Sequence, residues 1–232
     1  MNYEIDPRVL HPLTPSGTEL DDWQGRTFVS IVGFLFLNTR VLGISIPFHR
    51  NFEEVNLRFY VRRRDGDGWR RGVVFVRELV PRAAIAFIAR AAYGEQYSAV
   101  PMRHTIVFAD GNDHQPTRVL FSWTFSGREN RIEMRVQGDS HAIEPGSHAE
   151  FIAEHYWGYT RGKDGRTLEY RVEHTPWRVW EAVEARLDCD TAQLYGSQFV
   201  DCLGQEPASA FLADGSPVTV FTGRPLSSRE SR

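Results

Sequence analysis

The chain has 232 residues, of which 41% are hydrophobic and 25% are charged, and its formal net charge is -3. This composition is typical of a globular protein that can bury a substantial core, and it lacks the basic excess with which proteins bind nucleic acid or anionic membranes. Lys163 is the only lysine among the 27 basic residues, so a mechanism that requires a lysine has one candidate.

Signals for export or membrane insertion are not found. The start, "MNYEIDPRVLHPL", has no basic region and no apolar run, which argues against a secretory signal. The longest uncharged stretch, residues 27–39, is shorter than the roughly 18 to 20 residues that span a bilayer. Cys189 and Cys202 form no CxxC pair and are expected to be free thiols. We therefore expect a cytoplasmic protein.

Strand patterns dominate the first third of the chain, after an irregular lead-in expected over residues 1–18. The runs 26–38 and 40–48 are apolar on both faces, which indicates strands that are covered on both sides. The stretch "NFEEVNLRFYVRRR", residues 51–64, alternates with a period of two and predicts a strand. An Asp-Gly-Asp-Gly hairpin turn and a strand at 71–79 follow it.

The alternation in 51–64 separates polar from apolar residues. One side carries Glu54, Asn56, Arg58 and Tyr60, and the other carries Val55, Leu57, Phe59 and Val61. A row of charged and amide groups costs little when it faces water and much when it faces inward. The alternation by itself does not decide which side faces inward.

The remaining elements alternate between strands and short helices. Pro81 and Gly94 bound the clearest helix, over 81–94. Ser147, with Glu150 as capping-box partner, predicts the start of a second helix. The other predicted elements are antiparallel strands at 102–110, 118–127 and 130–138, a hairpin of 155–161 with 167–182, one helix around 191–203, strands at 208–215 and 216–226, and a frayed tail over 225–232. With no repeat or linker, we predict a single domain over 1–232.

Common catalytic and cofactor motifs are missing from the sequence. It contains no glycine-rich nucleotide or dinucleotide motif, no GxSxG and no HExxH. His141, His148 and His155 recur every seven residues. On a helix this spacing is two turns, which places successive histidines about 10 Å apart along the axis, too far apart to bind one ion. We therefore expect no metal and no cofactor. His174, in "EHTPW", is expected to be half-buried and hydrogen-bonded to backbone.

Six segments, read in order, resemble a bacterial family of unknown function, the YqjF-like family: "FEEVNLRFYV", "GVVFVREL", "ARAAYGEQYSAVPMR", "FIAEHYWGY", "YRVEHTPWRVWEA" and "ASAFLADGSPVTVFTG". The resemblance covers about residues 19–224 and is most specific at E-x-N-x-R-x-Y-V and R-x-x-Y-G-x-x-Y. The family is related in fold to the acetoacetate decarboxylases. This implies an α+β, mainly antiparallel fold: a cone-shaped β-barrel with additional sheet, a few flanking helices and a pocket inside the barrel.

The resemblance also implies a missing nucleophile. The decarboxylases form a Schiff base between a turn lysine and the keto acid, and a second lysine lowers the pKa of the first. In the matching turn, "ARAAYGEQYSA", Tyr97 stands at the position of the nucleophilic lysine and Ser98 at that of its neighbour. Lys163 lies in a turn, "RGKDGR", so the Schiff-base route is not expected here.

If the polar side of 51–64 lines the pocket, the sequence predicts a site without an amine. Glu54 would act as acid or base, Tyr97 would donate to a developing enolate, and Arg58 or Arg90 would hold a carboxylate. The predicted catalytic residues are Glu54 and Tyr97, and the predicted substrate-binding residues are Asn56, Arg58, Tyr60, Arg90, Tyr93 and His104.

Three interpretations of this site remain open. The first is a lyase-, hydratase- or isomerase-type enzyme acting on a small oxo or hydroxy carboxylic acid. The second is a non-catalytic barrel that binds a small acidic or aromatic metabolite, and the third is a buried polar network without a ligand. The expected partner is a small carboxylate-bearing molecule, with no nucleic acid and no membrane; a homo-oligomer is compatible with the sequence.

Overall fold

The computed structural model describes residues 1–37, 40–41, 44–45, 51–81, 97–162 and 165–226. Most of the described chain is strand. The strands are β1 (Asn2–Ile5), β2 (Glu19–Leu20), β3 (Thr27–Phe36), β4 (Arg40–Val41), β5 (Ile44–Ser45), β6 (Phe52–Asp65), β7 (Gly68–Val80), β8 (Tyr97–Ala99), β9 (Met102–Ala109), β10 (Asn112–Phe125), β11 (Arg128–Val136), β12 (His141–Ala142), β13 (Trp157–Arg161), β14 (Thr167–His174), β15 (Arg178–Asp188), β16 (Phe211–Ala213), β17 (Val218–Val220) and β18 (Arg224–Pro225).

The described helices are short. They are α1 (Pro7–Leu10), α2 (His148–Ala153), α3 (Thr191–Tyr195) and α4 (Val200–Leu203), with 3₁₀ turns at His11–Leu13 and Ser197–Phe199. None of the helices in the described ranges is long and apolar enough to cross a bilayer. The predicted helix over 81–94 falls almost entirely on 82–96, outside the described residues.

Two sheets make up the body of the described fold. The larger curls in the order β1-β3-β6-β7-β13-β14-β17, with β2, β8 and β18 pairing at β6, β7 and β14. The smaller has the order β12-β15-β11-β10-β9, with β16 beside β15. All pairings are antiparallel except those of β7 with β8 and with β13. The predicted mainly antiparallel α+β class is confirmed.

The strand β6 is buried on both faces. Its apolar side chains, Val55, Leu57, Phe59 and Val61, are fully buried in the main core. There they join side chains of the smaller sheet, including Phe121 and Trp123. The opposite face carries Glu54, Asn56, Arg58 and Tyr60, and Tyr60 packs with Phe28, Val73, Phe151 and Ile152 in a second cluster. The polar row is therefore buried on the face opposite the main core.

A β-bulge in β7 decides which of its side chains join that face. Asn56 lies opposite Glu78, but beyond the bulge Arg58 lies opposite Phe75 and Tyr60 opposite Val73. The extra residue changes the phase of the strand. Glu78 therefore shares a face with Phe75 and Val73, whereas in a regular strand it would point to the opposite face. The polar row on β6 thus gains a second carboxylate beside it.

Gly158 makes room on the same face for the ring of Tyr170, which lies opposite it in the β13–β14 pair. A Cβ at Gly158 would lie 2.1 Å from Cζ of Tyr170. Tyr170 is buried, and its ring covers the glycine. On the other face of β14, buried Glu169 accepts from Arg63 at 3.1 Å, Arg70 at 2.9 Å and the Tyr159 hydroxyl at 3.1 Å.

The structure differs from the sequence prediction at several boundaries. The segment 1–18, expected to be irregular, contains β1, which pairs with β3, and α1. The single helix predicted around 191–203 is interrupted at Gly196, whose φ of 107° is a conformation that residues with a Cβ rarely adopt. The single strand predicted over 167–182 is divided between β14 and β15 around Pro176. Residues 225–226 of the predicted tail are ordered at β18, and 227–232 lie outside the described residues.

We expect Gly158→Ala to destabilise the fold by about 1–3 kcal/mol, because the new Cβ overlaps the Tyr170 ring in a packed sheet. Urea unfolding followed by tryptophan fluorescence measures the change. Gly68→Ala is the matched control, because the nearest atom to its new Cβ is 3.7 Å away. Equal effects of the two substitutions would show that the Tyr170 ring is free to move aside.

Candidate functional site

The candidate site is built on the polar face of β6. Glu54 and Asn56 are each 2% exposed, Tyr60 is 1% exposed and Arg58 is half-buried. Asn56 donates from Nδ2 to Oε1 of Glu54 at 3.1 Å. Within the described ranges, Oε2 of Glu54 and Oδ1 of Asn56 are buried without a well-formed hydrogen bond. Two acceptors therefore remain open to a donor beside a desolvated carboxyl group.

Glu78 and Tyr97 complete the cluster. Glu78, also 2% exposed, lies opposite Asn56 on β7, and Tyr97 is its neighbour on the parallel strand β8. The Tyr97 side chain hydrogen-bonds to both Glu54 and Glu78. The sequence reasoning included Glu54 and Tyr97 but missed Glu78. The available signal was the charged pair Arg77–Glu78 inside the otherwise apolar run "VVFVRELV".

Burial sets the protonation of this cluster. Desolvation raises the pKa of Glu54 to about 7, although hydrogen bonding to Asn56 and Tyr97 acts in the opposite direction. Desolvation, together with the charges of Glu54 and Glu78, raises the pKa of Tyr97 well above its usual value. At neutral pH, Tyr97 is therefore a neutral hydrogen-bond donor, and Glu54 is poised between acid and base.

Arg58 shares the face but leans away from the carboxyl cluster. Its Nη2 donates to the backbone oxygen of Ile152 in α2 at 3.0 Å, and its Cζ lies 5.7 Å from the centre of the Tyr60 ring. Its Nε is buried without an acceptor. Among the described residues, no carboxylate lies within ion-pair distance of Arg58. A half-buried guanidinium of this kind can bind an anion.

The other predicted site residues fall elsewhere or outside the described chain. Tyr60 exchanges a hydrogen bond of 2.5 Å with Ser30 and is almost fully buried, so its hydroxyl is already engaged. His104 is exposed on β9 and bonds Glu53 at 2.7 Å, on the opposite side of β6 from Glu54. Arg90 and Tyr93 lie outside the described residues, as does Lys163.

His174, Cys189 and Cys202 lie apart from the cluster. His174 donates from Nδ1 to the oxygen of Thr175 at 3.0 Å and stacks between Tyr156 and Trp177, as expected of a half-buried histidine. Cys189 and Cys202 are free thiols. No group of three or more His, Cys, Asp or Glu side chains suited to a metal ion occurs in the described ranges.

The arrangement is suited to moving a proton next to a group that becomes negatively charged. Glu54 can take or give the proton, and the neutral Tyr97 hydroxyl can donate to a developing oxyanion. Glu78, on the adjacent strand, adds a second buried carboxyl group beside Asn56 and Tyr97. This cluster contains no amine from the described residues.

We expect Glu54→Gln to change how stability depends on pH. The pKa of Glu54 is 4.5 when unfolded and about 7 when folded, so between these values the native state binds more protons and stability falls as pH rises. The loss approaches about 3 kcal/mol, at 1.36 kcal/mol per pKa unit. Urea unfolding from about pH 4 to 8 should show this loss in the unmodified protein and in the exposed control Glu129→Gln, but not in Glu54→Gln. Parallel profiles for all three proteins would contradict the assignment.

Comparison with known proteins identifies the family of this chain. Residues 1–217 match the model of the DUF2071 family, described as an uncharacterized conserved protein. A relative in Bacillus subtilis (strain 168), the uncharacterized protein YqjF, is 38% identical over 61 residues; the match covers 26% of this chain and 25% of YqjF. The predicted YqjF-like resemblance is confirmed.

Solved structures show the fold. The enduracididine biosynthesis enzyme MppR, complexed with pyruvate, has a TM-score of 0.68 at 14% identity, covering 97% of this chain and 86% of that one. Acetoacetate decarboxylase from Legionella pneumophila has a TM-score of 0.64 at 12% identity, covering 97% of this chain and 82% of that one. The expected acetoacetate-decarboxylase-like fold is confirmed. The chain belongs to the DUF2071 family and has an acetoacetate-decarboxylase-like fold.

Proposed function

We propose that this protein is a small-molecule enzyme that transfers a proton at a carbon next to the carbonyl of an oxo or hydroxy carboxylic acid. The reaction is of the lyase, hydratase or isomerase type and proceeds without a Schiff base. The observation that carries the proposal is the buried Glu54 carboxyl group, with a pKa of about 7, beside a neutral Tyr97. Strongly shifted groups of this kind concentrate at active sites.

In the proposed step, ionised Glu54 removes a proton from the carbon beside the carbonyl. The electron pair of the broken C–H bond forms a C=C bond, and the carbonyl electrons move to oxygen. Tyr97 donates its hydroxyl hydrogen bond to that oxygen and stabilises the enolate. Protonated Glu54 then returns a proton to the same carbon, and the enolate electrons restore the carbonyl. No electron acceptor or amine is consumed.

The burial of the cluster supports this assignment. In water, a carboxylate with a pKa near 4.5 is a weak base, whereas desolvation brings the acid and base forms of Glu54 to similar populations at neutral pH. The unpartnered Oε2 of Glu54 leaves one lone pair to receive the proton. Tyr97 could not stabilise an oxyanion if it were ionised, and its raised pKa prevents this.

The choice of an oxo acid draws on two arguments. Arg58 has no carboxylate partner among the described residues, so a carboxylate on the ligand would complete its interactions. MppR, a structural neighbour, is complexed with pyruvate, an oxo acid. That likeness is at the level of fold, so the named residues of this chain carry the chemistry of the proposal.

The test follows exchange of carbon-bound hydrogen for deuterium. A panel of oxo and hydroxy acids is incubated with the protein in deuterated buffer and followed by NMR, with thermal shift measured in parallel. We expect exchange at the carbon next to the carbonyl. Glu54→Gln should reduce its rate roughly 10²- to 10⁴-fold, and Tyr97→Phe roughly 10²- to 10³-fold while ligand binding is retained.

Glu129→Gln, on the exposed surface, is the control and should exchange at the unmodified rate. Thermal stabilisation by an acid without exchange or turnover would identify a binding protein instead of an enzyme. Exchange that is unchanged in both Glu54→Gln and Tyr97→Phe would remove these residues from the mechanism.

A further inference from the structure

The spacing between Arg58 and Glu54 limits the ligands that both can contact. The two residues are four positions apart on the same face of β6. At about 3.3 Å per residue, their Cα atoms are about 13 Å apart. A compact acid cannot contact both residues unless their side chains lean strongly toward one another.

The side chains close only part of this distance. Nη2 of Arg58 is held at 3.0 Å by the backbone oxygen of Ile152, and its guanidinium lies against the Tyr60 ring, two residues farther from Glu54. Glu54 turns toward Asn56, with Oε1 at 3.1 Å from Nδ2. The carboxyl group of Glu54 and the guanidinium of Arg58 are therefore roughly 10–13 Å apart.

Arg58 nevertheless has the features of an anion anchor. Its guanidinium carries five N–H donors, of which the described structure engages one with a backbone oxygen, and the buried Nε has no acceptor. Desolvating such a cation without a counter-charge is costly, and a ligand carboxylate would offset that cost through charge-assisted hydrogen bonds. Asn56 lies between the two ends, and its free Oδ1 can accept from a hydroxyl or amide on the ligand.

We propose that the substrate is an elongated oxo acid, whose carbonyl lies at Glu54 and Tyr97 and whose carboxylate is a remote anchor at Arg58. This inference rests on the proposed function. Since an extended chain covers about 3.3–3.6 Å for every three bonds, roughly nine bonds separate the carbonyl from the carboxylate. The carboxylate that Arg58 holds does not react, so the chemistry is enolisation or isomerisation at the far end and not loss of that carboxylate.

The experiment compares two methyl-ketone acids, short levulinate and long 9-oxodecanoate, in the deuterium-exchange assay. We expect kcat/KM for 9-oxodecanoate to exceed that for levulinate roughly ten- to a hundredfold, the value of a hydrogen bond to a charged group. Arg58→Gln should bring this ratio to about one, and Arg58→Lys should restore part of it. Arg103→Gln, on the exposed face of β9, should keep the unmodified ratio.

A change to the ligand provides a second test on the unmodified protein, which does not depend on the folding of a variant. The methyl ester of 9-oxodecanoate keeps the length but removes the charge and should lose the advantage over levulinate. An ester that exchanges as well as the acid, or an unmodified ratio near one, would overturn the remote anchor. If the remote anchor were overturned but levulinate exchange still depended on Glu54, the proposed function would stand without the anchor. Failure of every acid to exchange or bind would overturn both.

Discussion

The structure depends on the burial of β6 on both of its faces. Its apolar side chains connect the two sheets, and Val55, Leu57, Phe59 and Val61 are inaccessible to solvent. The same backbone places Glu54, Asn56 and Arg58 on the face opposite the main core, and a one-residue slip would exchange the two faces. Packing of the core therefore fixes the position of the candidate site. The free energy gained by packing the apolar side of the strand offsets the cost of burying Glu54.

Neighbouring strands adapt to this arrangement. The bulge in β7 changes its phase so that Glu78 faces the same interior as Asn56, while Phe75 and Val73 continue that face beside Arg58 and Tyr60. Bulges commonly redirect side chains near functional sites. The Tyr170 ring packs over Gly158 on the same face, and on the other face Glu169 accepts hydrogen bonds from Arg63 and Arg70. The face of Glu54 thus carries buried acidic and hydroxyl groups together with the Arg71–Asp21 ion pair of 2.6 Å, whereas Arg63 and Arg70 pair with Glu169 on the opposite side of the sheet.

The described residues of the candidate site include no lysine, and this limits the chemistry that the site can support. A Schiff base withdraws electrons covalently, whereas Tyr97 can stabilise negative charge only by hydrogen bonding, which suits proton transfer better than cleavage of a carbon–carbon bond. Desolvation gives Glu54 the pKa that such a reaction requires. The four-residue separation of Glu54 and Arg58 along β6 is consistent with the proposed division, in which Arg58 binds a carboxylate and Glu54 transfers the proton.

The sequence by itself determined the strand at 51–64 and its two chemically distinct sides, because alternation is a local property of the backbone. It also determined the cap at Ser147, which accepts from the Glu150 N–H at 3.1 Å, and the absence of a second lysine. Only the tertiary structure decided that both sides of β6 are buried, that a bulge brings Glu78 to Asn56, that His104 pairs with Glu53 and that Arg58 turns toward Tyr60. Each of these depends on register and on contacts between residues distant in the chain, which a local pattern does not specify.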